Sequence, residues 1–375
     1  MTIYLILIIL LCFLIAIYDV RKKQSMFFSN NKKLWYLFCL SYFIAIPIFS
    51  FKMGTDTAVY EYWFNKELRV LGDFSFNDSR WEPLFCLMMS LLKTITNSWF
   101  IAHSIIIFFI NIFVFNFGRK YVNSFFTFLL LYFLIFYYEY NFEAIRQSIA
   151  MCIFFSSLKF LKKENYGRYY LSVFIAIGFH YVSVIMFLFP LLKRIKFGLY
   201  VYLFFISLLF IGELANLYFP DMIQFLNTMG DVDLYNYYLD SDLGSSMLNA
   251  NGRLLILLIG VVPIIISVHV VKNLTLPFYQ PLAFLFVTSE ILYTYIQLLD
   301  RFVQYFGIIQ VCLCAELLLC RIRTIRVFNT CIPVCLLKVY VIIALLVNII
   351  QFYNYEDSYG VKNIQRIVPY VSIWS

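Results

Sequence analysis

The chain has 375 residues, of which 63% are hydrophobic and 13% are charged, and its formal net charge at pH 7 is +8. A soluble domain carries about 25% charged residues, so this composition excludes a soluble globular protein. The basic residues lie in short segments between apolar runs, which is the positive-inside pattern of membrane proteins rather than a nucleic-acid-binding surface. We therefore predict an all-α, polytopic integral membrane helical bundle, a single domain over residues 1–375 with about 10–12 transmembrane helices.

Apolar runs long enough to cross a bilayer recur along the whole chain. The first run is followed by Arg21, Lys22 and Lys23 and has no basic residue before it. We interpret it as a retained first helix with its N-terminus outside. In chain order, spans are predicted at residues 3–18, 34–51, 99–117, 124–139, 144–161, 197–218, 254–271, 279–298, 302–320 and 331–350.

Two further segments need a separate interpretation. Pro83–Leu92 is apolar but about half a span long, and residues 169–192 carry Gly178 and His180 near their middle. If the first segment dips into the outer face and the second forms a re-entrant hairpin, the basic clusters fall inside and the hairpin lines an outer-face cavity. The alternative is that the second segment is an ordinary span and another boundary is displaced. In the hairpin topology the outer loops are residues 52–98 and 219–253.

Polar residues gather at the outer face of this topology: Asp56, Arg80, Glu82, Glu143, Arg146, His180, Arg253, Asp300 and Arg301. For any one of them, an interfacial anchor is the simpler interpretation. The four arginines, however, come from separate segments and share the leaflet in which positive charge is disfavoured. Since arginine forms bidentate, charge-assisted bonds with phosphate, the set indicates an anionic partner.

Helix position favours Arg146 as an anion-binding residue. It is expected in the first turns of its helix, where unpaired N–H groups favour an anion. Glu143 is spaced i, i+3 from Arg146, so the two are expected to share a helix face and could equally form a structural ion pair. Arg253 follows Asn251-Gly252, a turn expected to start a helix.

Tyrosines flank the outer polar segments. The chain contains 30 tyrosines, and Tyr60 and Tyr62 lie in the first outer loop. Aromatic faces with hydroxyl groups suit sugar rings, although a plain interfacial aromatic belt explains the same pattern.

Five motifs follow one another in order: "GTDTAVYEYWF" from Gly54, "WEPLFCLMMSLL" from Trp81, "FEAIRQSIAMCIFF" from Phe142, "LSVFIAIGFHYVSVIMFLFPLL" from Leu171 and "DRFVQYF" from Asp300. Together they resemble the EpsG-like branch of the Wzy-type polysaccharide polymerases, integral membrane proteins of bacteria. The resemblance is best over Met1–Leu192, and the later residues match by hydropathy and by "DRF". The family usually has Arg or Gly–Asp in the first motif, where this chain has Gly54-Thr55-Asp56.

The resemblance implies a glycosyltransferase that polymerises O-antigen, capsule or exopolysaccharide. The growing glycan would pass from polyprenyl diphosphate to a hydroxyl of the next carrier-linked repeat unit, at the periplasmic face of the bacterial inner membrane. No cofactor is implied, and the nine cysteines lack the spacing of a zinc site, so no metal is predicted. The expected partners are a polyprenyl-diphosphate-linked oligosaccharide, membrane lipids, a chain-length regulator and a flippase, and no nucleic acid.

The outer polar set supplies residues for this chemistry. Arginines aimed at a leaving diphosphate stabilise the charge that develops on it, and an attacking sugar hydroxyl needs a positioned base. The predicted diphosphate-binding residues are Arg146, Arg301, Arg253 and Arg80. The further predicted substrate contacts are Glu82, Tyr60 and Asp300. The predicted bases are His180, Glu143 and Asp56, with Glu82 as a fourth.

Two other functions fit parts of the pattern. An O-antigen ligase, or another carrier-dependent glycosyltransferase, shares the donor, but a ligase usually has a large outer loop bearing Arg and His, and residues 219–251 contain neither. A flippase or transporter is expected to place charges near the bilayer midplane and to show internal repeats. The charges here lie at one face and no repeat is evident, which favours the polymerase.

Overall fold

Helices account for nearly all of the regular structure in this chain. The computed structural model describes residues 2–20, 26–50, 54–76, 81–193, 195, 197–198, 201–202, 207, 250–271, 274–293, 299–327 and 330–354. Four described helices are long and apolar enough to cross a membrane: Ile3–Val20, Trp99–Tyr121, Asp300–Leu319 and Val334–Asn354. The prediction of an all-α, polytopic membrane protein is confirmed.

Contacts divide the chain into two units. Unit 1 comprises Met1–Pro190, Leu274–Pro277 and Ile349–Ser375, and unit 2 comprises Leu191–Asn273 and Phe278–Asn348. The single domain predicted over residues 1–375 stays a prediction, as does the placement of the outer loops. The second of those loops, through residue 249, lies outside the described residues.

Unit 1 is built from short and long helices in alternation. They are α1 (Thr2–Leu14), α2 (Met26–Ile48), α3 (Thr55–Lys66), α4 (Pro83–Thr96), α5 (Trp99–Tyr121), α6 (Phe125–Ile135), α7 (Ile145–Lys162), α8 (Tyr166–Phe179) and α9 (Phe189–Leu192). A π-helical turn, Ile15–Val20, extends α1, and a second one, Glu139–Glu143, precedes α7. Helix α3 lies inside a segment that was predicted to be an outer loop.

Helix α4 begins at Pro83 as predicted but extends past Leu92 to Thr96, so it is longer than the half span expected and still shorter than a full span. Pro83 occupies its first turn, where the missing N–H of proline costs no hydrogen bond. The helix ends at Asn97, whose φ of 44° is a left-handed C-cap. Its 14 residues extend about 21 Å, which is shorter than the roughly 30 Å hydrocarbon core.

Helix α8 and the 3-10 segment Tyr181–Leu188 form a hairpin. The Tyr169 hydroxyl donates to the Met186 carbonyl over 2.7 Å, and the Tyr170 and Phe187 rings stack with centroids 5.7 Å apart. These contacts join residues that precede His180 to residues that follow it, so the chain folds back on itself near His180. The geometry is that of the predicted hairpin, and its re-entrant placement in the membrane stays a prediction.

Unit 2 contains further helices and one small sheet. Its described elements are α10 (Ala250–Ile256), the π-helical turn Leu257–Val261, α11 (Val262–Val270), α12 (Tyr279–Tyr293), α13 (Asp300–Leu319), β1 (Thr324–Val327), β2 (Thr330–Pro333) and α14 (Val334–Asn354), of which residues from Ile349 onwards belong to unit 1. The two strands pair antiparallel, with Thr324 opposite Pro333 and Val327 opposite Thr330. This hairpin was not predicted: β1 lies between two predicted spans, and β2 overlaps the start of the span predicted at residues 331–350.

The tip of the α8 hairpin packs closely on α4, and this contact makes Gly178 sensitive to substitution. A Cβ at Gly178 would lie 2.4 Å from Leu84 Cγ, so Gly178→Ala is expected to lower the free energy of unfolding by about 1–3 kcal/mol. The measurement is denaturant unfolding of the purified protein in detergent. Gly72→Ala is the control, since nothing lies within 4 Å of that position. Equal losses in the two variants would contradict the packing argument.

Candidate active site

The carboxylate of Glu82 is the centre of a polar cluster in unit 1. Glu82 immediately precedes α4 and is 3% exposed. Its Oε2 accepts a hydrogen bond from Nη1 of Arg146. Its Oε1 lies 2.8 Å from Nδ1 of His180 and accepts from the backbone N–H of Tyr181 over 3.4 Å. Both carboxylate oxygens are therefore occupied by residues of the protein.

Arg146 lies in the first turn of α7 and is fixed on several sides. Its Nε donates to the Tyr60 hydroxyl over 2.8 Å, and its guanidinium carbon lies 4.3 Å from the centroid of the Trp81 ring. The side chain is 19% exposed. Among the described residues, no acceptor engages its Nη2. The guanidinium is thus held by a hydroxyl, a carboxylate and an aromatic ring.

The charge state of Glu82 follows from these contacts. Burial alone would raise the pKa of this carboxyl group. The hydrogen bond from His180 and the positive charge of Arg146 outweigh burial and lower the pKa to about 2. Glu82 is therefore an anion at any physiological pH, and it orients the His180 ring by accepting at Nδ1.

His180 reaches Glu82 because α8 ends there and lies close to α4. Its backbone is extended, with φ −159° and ψ 122°, so the chain turns sharply after the helix. Gly178, the last residue but one of α8, lets the helix approach Leu84. The His180 side chain is 14% exposed, and its Nε2 atom is buried.

The first outer motif is fastened to the Glu139–Glu143 turn. Gly54 has a φ of +83°, and a Cβ there would lie 2.8 Å from Phe142 Cβ, so a side chain is excluded on both grounds. The Thr57 hydroxyl donates to the Phe142 carbonyl over 2.5 Å. The Asp56 N–H donates to Glu143 Oε2 over 3.2 Å. Asp56 and Glu143, two predicted bases, are therefore neighbours.

The residue beside Arg146 packs in an apolar cluster with α5. Ile145 shares this cluster with Trp99, Ala102, Ile106 and Ile110. The placement of the polar set at the outer face of the membrane stays a prediction.

One expectation of the sequence analysis is wrong: Glu143 and Arg146 do not share a helix face, because the backbone breaks at Ala144 and α7 begins after it. Tyr60 is 2% exposed and lies in the apolar core, where it contacts Arg146. Both oxygens of Glu82 are engaged within the protein. The predicted substrate contacts of Tyr60 and Glu82 stay predictions.

The remaining predicted residues lie in unit 2 or outside the described side chains. Asp300 begins α13, where its Oδ2 accepts from Nε2 of Gln304 over 2.7 Å, and Arg301 follows it. Helix α10 begins at Ala250, so Asn251-Gly252 lies within its first turn and not before it, and the Arg253 side chain is not described. Arg80 is also outside the described residues. The convergence of all four arginines stays a prediction.

Trp81 is a site residue that the sequence analysis did not select. Its ring packs against Arg146 and lies edge-on to Tyr60, with centroids 5.5 Å apart. The signal was present in "WEP", since Pro83 marks a helix start and places Trp81 and Glu82 just before it.

The low pKa of Glu82 predicts how stability depends on pH. Because folding lowers this pKa from 4.5 to about 2, the stabilisation is complete above 4.5 and is lost as the pH falls towards 2. Glu82→Gln is expected to lower the free energy of unfolding by about 3–5 kcal/mol at pH 7, since Arg146 loses its counter-charge. The difference from wild type should shrink at pH 3. Denaturant unfolding at both pH values is the measurement, with the exposed Glu67→Gln as control. A difference that does not change with pH would contradict this assignment.

The comparisons with known proteins place the chain in a family. The sequence model of the EpsG family matches residues 32–356, and no curated protein and no solved structure matches the chain. The match includes Glu82, Arg146 and His180, and it continues past Asp300, well beyond the region of best resemblance in the sequence analysis. This multi-pass membrane protein belongs to the EpsG family, a family of Wzy-like polymerases.

Proposed function

We propose that this protein is a polysaccharide polymerase that works on lipid-linked sugars at the outer face of the bacterial inner membrane. A hydroxyl oxygen of the next carrier-linked repeat unit attacks the anomeric carbon of the growing glycan. The bond from that carbon to the polyprenyl diphosphate breaks, and the diphosphate leaves with the electron pair. The hydroxyl proton passes to a base of the protein. The EpsG membership supports this class of reaction.

The observation that carries the proposal is the bridging of Arg146 and His180 by one carboxylate. Glu82 binds Nδ1 of His180, so the opposite ring nitrogen, Nε2, is the one proposed to take the proton of the attacking hydroxyl. A base oriented by a third group is the usual arrangement for activating a weak nucleophile. Histidine also titrates in the neutral range in the absence of perturbation. We therefore assign His180 as the base and Glu82 as the residue that positions it.

Arg146 supplies the electrostatic part of the reaction. Charge develops on the diphosphate as it leaves, and a donor fixed in advance stabilises that charge without reorganising. Tyr60, Glu82 and Trp81 fix the guanidinium, and its Nη2 edge is the part that faces a ligand. Because Glu82 already balances one positive charge, one arginine is not sufficient for a diphosphate. Arg80, Arg253 and Arg301 remain the proposed donors to its other oxygens.

The partners follow from the same chemistry. Donor and acceptor are both polyprenyl-diphosphate-linked oligosaccharides, so the protein draws its substrates from the surrounding lipid. A flippase that delivers these units and a regulator of chain length are the proposed protein partners. Asp56, exposed in part at the start of α3, is the proposed hydrogen-bond acceptor for sugar hydroxyls, together with Asp300.

Substitution of Arg146 tests the electrostatic role. Arg146→Lys keeps the charge but loses the planar fork that binds both Tyr60 and Glu82, and Arg146→Ala removes the charge. Both are expected to leave the protein in the membrane and to shorten the glycan, with Arg146→Ala losing about 10²–10³-fold in rate. Gel analysis of glycan length in cells measures this outcome, with the exposed Arg321→Ala as control. Long glycan of normal amount from Arg146→Ala would contradict the proposal.

Substitution of His180 tests proton transfer. His180→Gln retains a polar side chain of similar size but cannot take the proton, so turnover is expected to fall about 10²–10⁴-fold with little change in unfolding. The measurement is extension of a purified carrier-linked oligosaccharide by the protein in lipid nanodiscs. Transfer of the glycan to a lipid core instead of another repeat unit would indicate a ligase. Movement of the substrate across the bilayer without extension would indicate a flippase.

A further inference from the structure

The Glu139–Glu143 turn grips the first turn of α3 at three points. Gly54 approaches Phe142 too closely for any side chain, Thr57 donates to the Phe142 carbonyl, and the Asp56 N–H donates to the Glu143 carboxylate. A carboxylate at a helix N-terminus is also favoured by the helix dipole. The start of α3 is therefore tied to this turn through backbone and side chain together.

The turn is itself fixed to the helices around it. Nδ2 of Asn111, on α5, donates to Oδ1 of Asn141 over 2.7 Å, and Nδ2 of Asn141 donates to the Tyr137 carbonyl over 2.7 Å. Asn111 and Asn141 are both fully buried. Hydrogen bonds between buried amides are strong in a low-dielectric interior, so these contacts anchor the turn to α5.

Helix α3 connects the Glu139–Glu143 turn to the candidate active site. Tyr60 lies one helical turn after Asp56, and its hydroxyl accepts from Nε of Arg146. Arg146 also lies three residues after Glu143 in the chain, at the start of α7. The Glu139–Glu143 turn therefore sets the position of both partners in the Tyr60–Arg146 hydrogen bond. It positions Tyr60 through α3, and it positions Arg146 through the backbone at Ala144.

We propose that Glu143 is a positioning residue that acts through α3 and Tyr60 on Arg146, and not the base of the reaction. This inference rests on the proposed polymerase function. Both oxygens of Glu143 already accept hydrogen bonds: Oε2 from the Asp56 N–H over 3.2 Å, and Oε1 from the Tyr138 hydroxyl over 2.9 Å. A carboxylate that accepts from two donors of its own protein is suited to holding them, whereas His180 has the orienting partner that a base requires.

The test is a double-mutant cycle between Glu143→Gln and Tyr60→Phe in the full-length protein in nanodiscs. If Glu143 acts through Tyr60, each single variant lowers kcat about tenfold, and the double variant loses no more than about twofold beyond Tyr60→Phe. The shape of the pH–rate profile stays that of wild type. Thr57→Val removes another contact between α3 and the turn. Combined with Tyr60→Phe, it is expected to show the same non-additivity. Glu67→Gln, at the exposed other end of α3, is the matched control.

Opposite results overturn the inference. Independent, multiplying losses in the double variant show that Glu143 does not act through Tyr60. A loss above about 10³-fold in Glu143→Gln, with a limb missing from the pH profile, assigns it as the base.

Hydrogen–deuterium exchange of residues 55–60 separates this inference from the proposed function. Exchange there is expected to rise in Glu143→Gln and Thr57→Val and to stay at the wild-type level in Glu67→Gln. Unchanged exchange in the first two variants overturns the positioning role. If exchange rises in these variants but the wild-type protein extends no glycan, the positioning role of Glu143 stands and the polymerase function is overturned.

Discussion

The structure of unit 1 depends on one buried carboxylate. An ionised side chain that is 3% exposed is tolerated only when its oxygens are hydrogen-bonded and its charge is balanced. Glu82 meets this requirement through Arg146, His180 and the Tyr181 N–H. These partners come from α7 and from the tip of the α8 hairpin, so satisfying one charge brings three distant segments together. The same contacts fix the orientation of a histidine and an arginine, which is what the proposed chemistry needs.

Hydropathy and charge predicted most of the described helices, though not α3, and an outer-face polar set that includes Glu82, Arg146 and His180. The apolar runs located the helices, and the positive-inside rule excluded an ordinary span for the α4 segment, which the structure shows to be 14 residues long. That argument placed Glu82, Arg146 and His180 on one face, and the structure brings them into contact. Long, uniformly apolar segments and the sorting of Lys and Arg are strong signals because each reflects a large transfer free energy.

Pairing within the site could not be predicted, because it depends on local breaks in helices. The i, i+3 spacing of Glu143 and Arg146 implies a shared face only if one helix contains both. The chain instead forms a π-helical turn and an irregular residue, Ala144, before α7. Glu143 therefore contacts α3, and Arg146 pairs with Glu82. The burial of Tyr60 could not be predicted for a related reason, since its position in a polar motif gave no sign that α3 buries that face against Trp81 and Phe85.

The two tightly packed glycines show why such a site can be rigid. At Gly54 and Gly178 the backbone approaches Phe142 and Leu84 more closely than any Cβ would permit. This close approach brings Asp56 and His180 within hydrogen-bond distance of residues on neighbouring segments, and it leaves little space for either segment to move. Rigidity of this kind matters for charge stabilisation, because a donor that must reorient during the reaction gives back much of the energy it supplies. In the proposed reaction, Arg146 and His180 are therefore already aligned when unit 1 has folded. A looser site would have to align them again in each turnover.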